Sequence, residues 1–162
     1  MKKAVTTKLQ KIISGGQTGA DQGALDGAIS QSFPHGGSIP AGRKTEEGML
    51  PETYQMEELV SGNYADRTEK NVRDADATLI VSHGPLTGSS ALTMKIARRL
   101  NKPCLHVDFK TRAADEAAAD VTAWLASCGT GILNVAGPRA SSDADIYDAA
   151  RKLVAAVIEK MR

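Results

Sequence analysis

Three stretches of the chain concentrate glycine with hydroxyl and amide side chains: SGGQTGADQG at 14–23, SHGPLTGSSA at 82–91 and AGPRASS at 136–142. Glycine lets the backbone approach a bound group with no Cβ in the way. A helix start adds unpaired N–H groups and roughly half a positive charge. Placed ahead of helices, such stretches suit a phosphate or similar anion. In the first, Gly15, Gly16 and Gly19 supply backbone, Gln17 and Thr18 supply side-chain donors, and Asp21 stands at a helix's first turn. Asp21 there serves either the helix dipole, worth ~0.3–1 kcal/mol, or a ligand hydroxyl or loop amide. The second combines His83, Gly84, Thr87, Gly88, Ser89 and Ser90, and the third carries Gly137 and Arg139. Arg43 and Lys44 lie in an irregular segment and could neutralise an oxyanion, arginine through its bidentate fork. Glu46 and Asp21 are the candidate acid or base if the chain catalyses a reaction.

The first stretch is neither the dinucleotide fingerprint G-x-G-x-x-G nor a P-loop, because no lysine follows its last glycine. His35, His83 and His106 have no mutual spacing of a metal site, and no direct metal site is expected. His106 falls within a strand and reads as structure, as does Trp124. Cys104 and Cys128 read as small core residues, too few and too distant for a disulfide framework.

The elements that must position these residues follow from periodicity. Strand-length apolar runs (KIIS, ATLIVSH, CLHVDF, GILNVAG) alternate with helical patterns. Ala20, Ala24, Leu25, Ala28 and Ile29 form one helical stripe, and Leu92, Ile96 and Leu100 a second ended by Pro103. Gly129 is placed to cap a helix over AADEAAADVTAWLASC. The closing helix carries Ile146, Ala150, Leu153, Val154, Val157 and Met161 on one face. ADRTEKNVRDA reads as a polar helix, in which Asn71 and Arg73 are expected to cap or to meet another subunit, and HGGSIP as a weak strand. Parallel strands need crossover connections, so this alternation predicts an α/β fold: a single doubly wound three-layer domain, with a mainly parallel sheet of about five or more strands. One domain spans residues 1–162, the first nine forming a flexible extension, and fold-level regularity points to strand order 2-1-3-4-5. Ligands in such sheets bind beyond the carboxyl ends of the strands, where all three glycine-rich stretches fall.

A formal net charge of +1 argues against a broad nucleic-acid or membrane-surface footprint. No apolar run approaches the ~20 residues of a membrane span, and no apolar segment follows the basic start as in a secretory signal. The expected setting is cytoplasmic, with no nucleic-acid and no membrane partner.

SGGQTGADQGALD, IPAGRKTEEGMLPETY, RTEKNVRDADATLIV, HGPLTGSSALT and NVAGPRAS together resemble the "putative molybdenum carrier" family. That family lies in the Rossmann-like SLOG superfamily, beside DNA-processing-A proteins and the "lonely guy" phosphoribohydrolases. The resemblance covers about residues 10 to 158 and implies a phosphorylated or nucleotide-type ligand at the first and second glycine-rich loops. Molybdenum cofactor (molybdopterin) or a nucleotide is the implied cofactor, and a homo-oligomer, dimer or tetramer, the implied assembly. In the phosphoribohydrolases a P-G-G-x-G-T-x-x-E motif ends in a catalytic glutamate. The corresponding stretch here offers Leu92 and Thr93. The reading is therefore a binding or carrier protein rather than a hydrolase. A nucleotide or nucleotide-sugar processing enzyme and a nucleotide-sensing module are the alternatives.

Overall fold

The computed structural model describes residues 8–162. Five parallel strands form the central sheet: β1 (Lys11–Ile13), β2 (His35–Gly36), β7 (Ala77–Ser82), β8 (Cys104–Asp108) and β9 (Ile132–Ala136). Helices α1 (Ala20–Ser30), α2 (Tyr64–Asp74), α3 (Gly88–Arg99), α4 (Ala114–Cys128) and α5 (Ile146–Met161) connect or follow them. Between β2 and α2 the chain makes four two-residue strands: β3 (Ser38–Ile39), β4 (Lys44–Thr45), β5 (Gly48–Met49) and β6 (Glu57–Glu58). Here β3 pairs with β6 and β4 with β5. The weak strand expected over HGGSIP is thus two strands in different sheets, parted at Gly37.

Period-2 alternation assigns each strand residue to a layer. Ile12, Leu79, Val81, Leu133 and Val135 point into the main core, against Ala24 and Ala28 of α1, Val121 and Leu125 of α4, and Leu153, Val154 and Val157 of α5. The opposite face, under α2 and α3, has a small apolar cluster of Val72, Ile96 and Ala97. Its central strands present Thr78 and Asn134, whose side chains are joined by a 3.3 Å hydrogen bond. One face of the sheet is oily and the other is polar at its centre. That asymmetry makes room for a site.

Several expectations change. The strand order is β2-β1-β9-β7-β8, so the last strand enters between the first and third in place of 2-1-3-4-5. It pairs with both β1 and β7 in parallel, and its two faces are covered because Leu133, Asn134 and Val135 are all buried. Ile29 and Leu92 are 41% and 38% exposed, outside their stripes; at the start of α3 the buried positions are the polar Ser90 and Thr93. Cys128 is exposed at the end of α4, and Cys104 is half-buried, its thiol pushed up to about 11 chiefly by burial. Leu9 is buried in the main core, so the chain is already packed before the end of the expected extension. Residues 1–7 of that extension lie outside the described residues. Gly129 does cap α4, at φ 64° and ψ 42°.

Candidate functional site

The strand order reverses around β9, flanked by β1 and β7, and a cleft of about 100 Å³ opens beside the carboxyl end of β9. Loops after β1 and β9, the start of α3 and one face of α2 converge on it. Of the residues expected at a site, Gly15, Gln17, Asp21, Ser89, Gly137 and Arg139 meet there. Tyr64, Arg67, Thr68 and Asn71 join them from α2, with Thr93 and Asn134 from α3 and β9. Their signal was present in the sequence. Positions 64, 67, 68 and 71 follow the i, i+3, i+4, i+7 spacing of one helix face, and Asn134 interrupts an apolar strand.

Arg67 is the pivot. It is 6% exposed, its Nη1 donates to the Gly15 carbonyl, and it lies 3.8 Å from Asp21 Oδ2. A Cβ at position 15 would come within 2.4 Å of that Nη1, so glycine is required there for the guanidinium to approach. Gly16 and Gly19 take φ values of +74° and +81°, and a Cβ at Gly19 would meet the Pro138 carbonyl at 2.5 Å. The first loop's glycines thus admit other parts of the protein. The amide beside them is already engaged by an internal anion: Gln17 N donates to Asp21 Oδ2 at 3.2 Å.

Asp21 is 7% exposed, and its pKa is pushed up from 3.8 to about 6. Burial, which disfavours the carboxylate, outweighs the opposing field of Arg67 and the amide hydrogen bonds. Arg139 also lines the cleft; it is exposed, and its guanidinium enters no hydrogen bond or ion pair among the described residues. No side chain caps the N-terminus of α3, which begins with Gly88 and Ser89. The cleft therefore presents two guanidinium groups and a helix start, one carboxylate of raised pKa, and the Tyr64 ring 5.2 Å from Arg67 Cζ.

The other expected residues lie around this centre. The Thr18 hydroxyl donates to Glu46 and accepts from Ala140 N at 3.1 Å. Glu46 also accepts from Ser141 Oγ at 2.5 Å and Ser141 N at 3.1 Å, so its carboxylate clasps the first loop to the loop after β9. Those hydroxyls, Ser141 first, hold the Glu46 carboxyl below its usual range. Arg43 donates to the carbonyls of Leu50, Pro51 and Tyr54 and bends its own segment. Lys44 donates to Gly62 O at 2.7 Å and lies 4.6 Å over the Tyr64 ring. His83 pairs with Asp143 at 2.8 Å and, with Thr87 and Ser90, lines a separate recess of about 90 Å³. Gly84 N donates to Asp108 Oδ1 at 2.8 Å. Asn71, expected to cap or meet a neighbouring subunit, instead bridges Ser14 O and the Ser38 backbone at 2.8–3.3 Å. Arg73 pairs with Glu69 at the surface.

A doubly wound parallel sheet with a polar cleft at its reversal point defines a Rossmann-like fold. Residues 12–158 match the circularly permutated YpsA SLOG family model, and the chain belongs to that family. The crystal structure of a putative molybdenum carrier protein from Syntrophus aciditrophicus SB superposes with a TM-score of 0.91. Its sequence is 49% identical, and the match covers 94% of this chain and 96% of that one. No curated protein is significantly similar to the chain.

Proposed function

We propose that this protein is a molybdenum carrier-like binding protein, whose cleft holds the tetrahedral oxyanion of its ligand between Arg67 and Arg139. The supporting observation is the Arg139 guanidinium, which has no hydrogen-bond or ion-pair partner among the described residues and lines the same cleft as a second, buried guanidinium, that of Arg67. Two arginines and the start of α3 favour an anion with several acceptor oxygens. A cleft of about 100 Å³ suits one such group, with the remainder of a larger ligand extending over the open mouth. The name of the Syntrophus aciditrophicus relative adds molybdenum. Molybdate itself and the terminal phosphate of molybdenum cofactor share the required chemistry, and the phosphate of a nucleotide is the third source. Among the described residues no cluster of three or more His, Cys, Asp or Glu could hold a metal ion. In this reading the metal therefore arrives within the ligand, and the chain's residues grip its oxygens.

Calorimetric titration with molybdate, a pterin phosphate and a nucleoside monophosphate tests the reading and separates the three sources. At least one binds, and Arg139→Ala weakens it tenfold or more, the loss of a charge-assisted pair of about 1.5–3 kcal/mol. Because Arg139 is exposed, the variant's stability stays within about 0.5 kcal/mol of wild type. Equal affinity in wild type and variant, or no binding of any of the three at millimolar concentration, rejects it.

An acid–base role has one specific observation in its favour, the Asp21 carboxyl at about 6 in the cleft. Turnover of a nucleoside monophosphate that disappears in Asp21→Asn would establish that role in place of simple carriage. The stretch that resembles the phosphoribohydrolase motif offers Leu92 and Thr93 in place of its glutamate.

A further inference from the structure

The cleft contains a contradiction for an anion site: a carboxylate nine-tenths buried in the same small space as the two guanidinium groups. We propose that the cleft takes up its oxyanion together with one proton, which is held on Asp21. This rests on the oxyanion reading above and adds a mode of regulation to the same site.

The geometry leaves few other outcomes. Arg67 faces Asp21 from α2, Tyr64 lines the cleft from the same helix, Arg139 shares it from the loop after β9, and Ser89 and Thr93 border it from α3. These four side chains, Asp21, Tyr64, Arg67 and Arg139, are the ionisable groups lining the cleft. Asp21 sits on the first turn of α1, tied to the first loop through Gln17 N, and it cannot swing out to water without breaking that bond. An oxyanion drawn to Arg67 competes with Asp21 for the same guanidinium and adds negative charge beside a group shielded from solvent. Both changes favour the neutral acid. Of the ionisable groups lining the cleft, Asp21 is the carboxylate, the group whose charge an incoming anion opposes, so the proton goes to Asp21. Once protonated, the carboxyl offers an O–H donor where the carboxylate offered only acceptors. The free carboxyl's pKa of about 6 means that most molecules are ionised at pH 7, so most binding events must take the proton from solvent.

The prediction follows by linkage: affinity is level below about pH 6 and falls up to about tenfold per pH unit above it. Molybdate and sulfate remain doubly charged between pH 6.5 and 8.5, so neither ion titrates in the experiment (roughly, by their ordinary acidities). Molybdate is titrated into the wild-type protein by calorimetry at pH 7 in buffers of different ionisation enthalpy, with sulfate as a second probe. The expected result is uptake approaching one proton per bound ion, and a dissociation constant several-fold weaker at pH 8 than at pH 7. Asp21→Asn binds with no proton uptake and an affinity level across this range. Molybdate bound by wild type without proton uptake overturns the proposal while leaving the oxyanion reading intact. Uptake that persists in Asp21→Asn assigns the proton elsewhere and also overturns it. If neither ion binds the wild type and a phosphorylated ligand does, the same buffer series is run with a nucleoside monophosphate above pH 8, where its phosphate is fully ionised. Failure of every anion removes the oxyanion reading itself. The wild-type measurement carries the test should the variant fold poorly.

Discussion

Asp21 was legible as a helix-start acid whose role could be electrostatic or ligand-directed. The spacing of Arg67 with Tyr64, Thr68 and Asn71 was legible, but its burial was not, because an arginine among the charges of a polar helix has the pattern of a solvated surface group. Its burial depends on tertiary contact: Gly15 lacks the Cβ that would exclude the guanidinium. The pair also sets a pH dependence of folding. The folded-state pKa of Asp21, about 6, lies above its ordinary 3.8, so the folded chain holds this proton more tightly than the unfolded chain. The group's contribution therefore favours folding at low pH and is lost as pH rises from about 4 through 6. Urea unfolding of wild type and Asp21→Asn from pH 4 to 7.5 reads it directly. Wild type loses up to about 3 kcal/mol relative to the variant across that range. A relative gain with rising pH would reverse the sign and show that Arg67 dominates the carboxylate's surroundings.

At the scale of elements, the glycine-rich stretches were correctly placed after strands, but their glycines serve two purposes that composition does not separate. Those of the first loop let Arg67 and the loop after β9 approach, while the α3 start brings Ser89 to the cleft. Arg43 reads in sequence like Arg139, a cation in a glycine-containing loop. Only the fold shows that the first donates to three carbonyls and the second, among the described residues, to none. The helix stripes were legible where they face the main core, apart from Ile29 at the end of α1, and misleading at the start of α3. In α3, polar Ser90 and Thr93 are buried while Leu92 is exposed, since the layer beneath is polar. A packing prediction follows for α1, which lies against α5. A Cβ at Gly23 would come within 2.4 Å of the Tyr147 carbonyl. Alanine is the better helix former by ~1 kcal/mol, but the overlap requires α1 and α5 to separate, a strain of about 1–3 kcal/mol. Gly23→Ala is thus expected to lower stability in urea by up to about 2 kcal/mol; a stabilised variant would mean that the two helices accommodate the methyl freely.

For the whole molecule, the alternation of strands and helices made the doubly wound class legible, because parallel neighbours require crossovers. Strand order was not, since nothing in ILNVA specifies which parallel strands flank it. The insertion of β9 between β1 and β7 brings Asn134 and Arg139 to the reversal point, and so completes a cleft that local sequence only half described. No described helix is long and apolar enough to cross a membrane. The central claim is that this cleft grips an oxyanion between Arg67 and Arg139. Tungstate is a close stand-in for molybdate and scatters X-rays anomalously, so diffraction from crystals grown with it locates the ion without reference to any assumed site. An anomalous peak is expected in the cleft, within hydrogen-bond reach of both guanidinium groups and lost in Arg139→Ala crystals. A well-occupied tungstate elsewhere on the chain, with the cleft holding none, would contradict it.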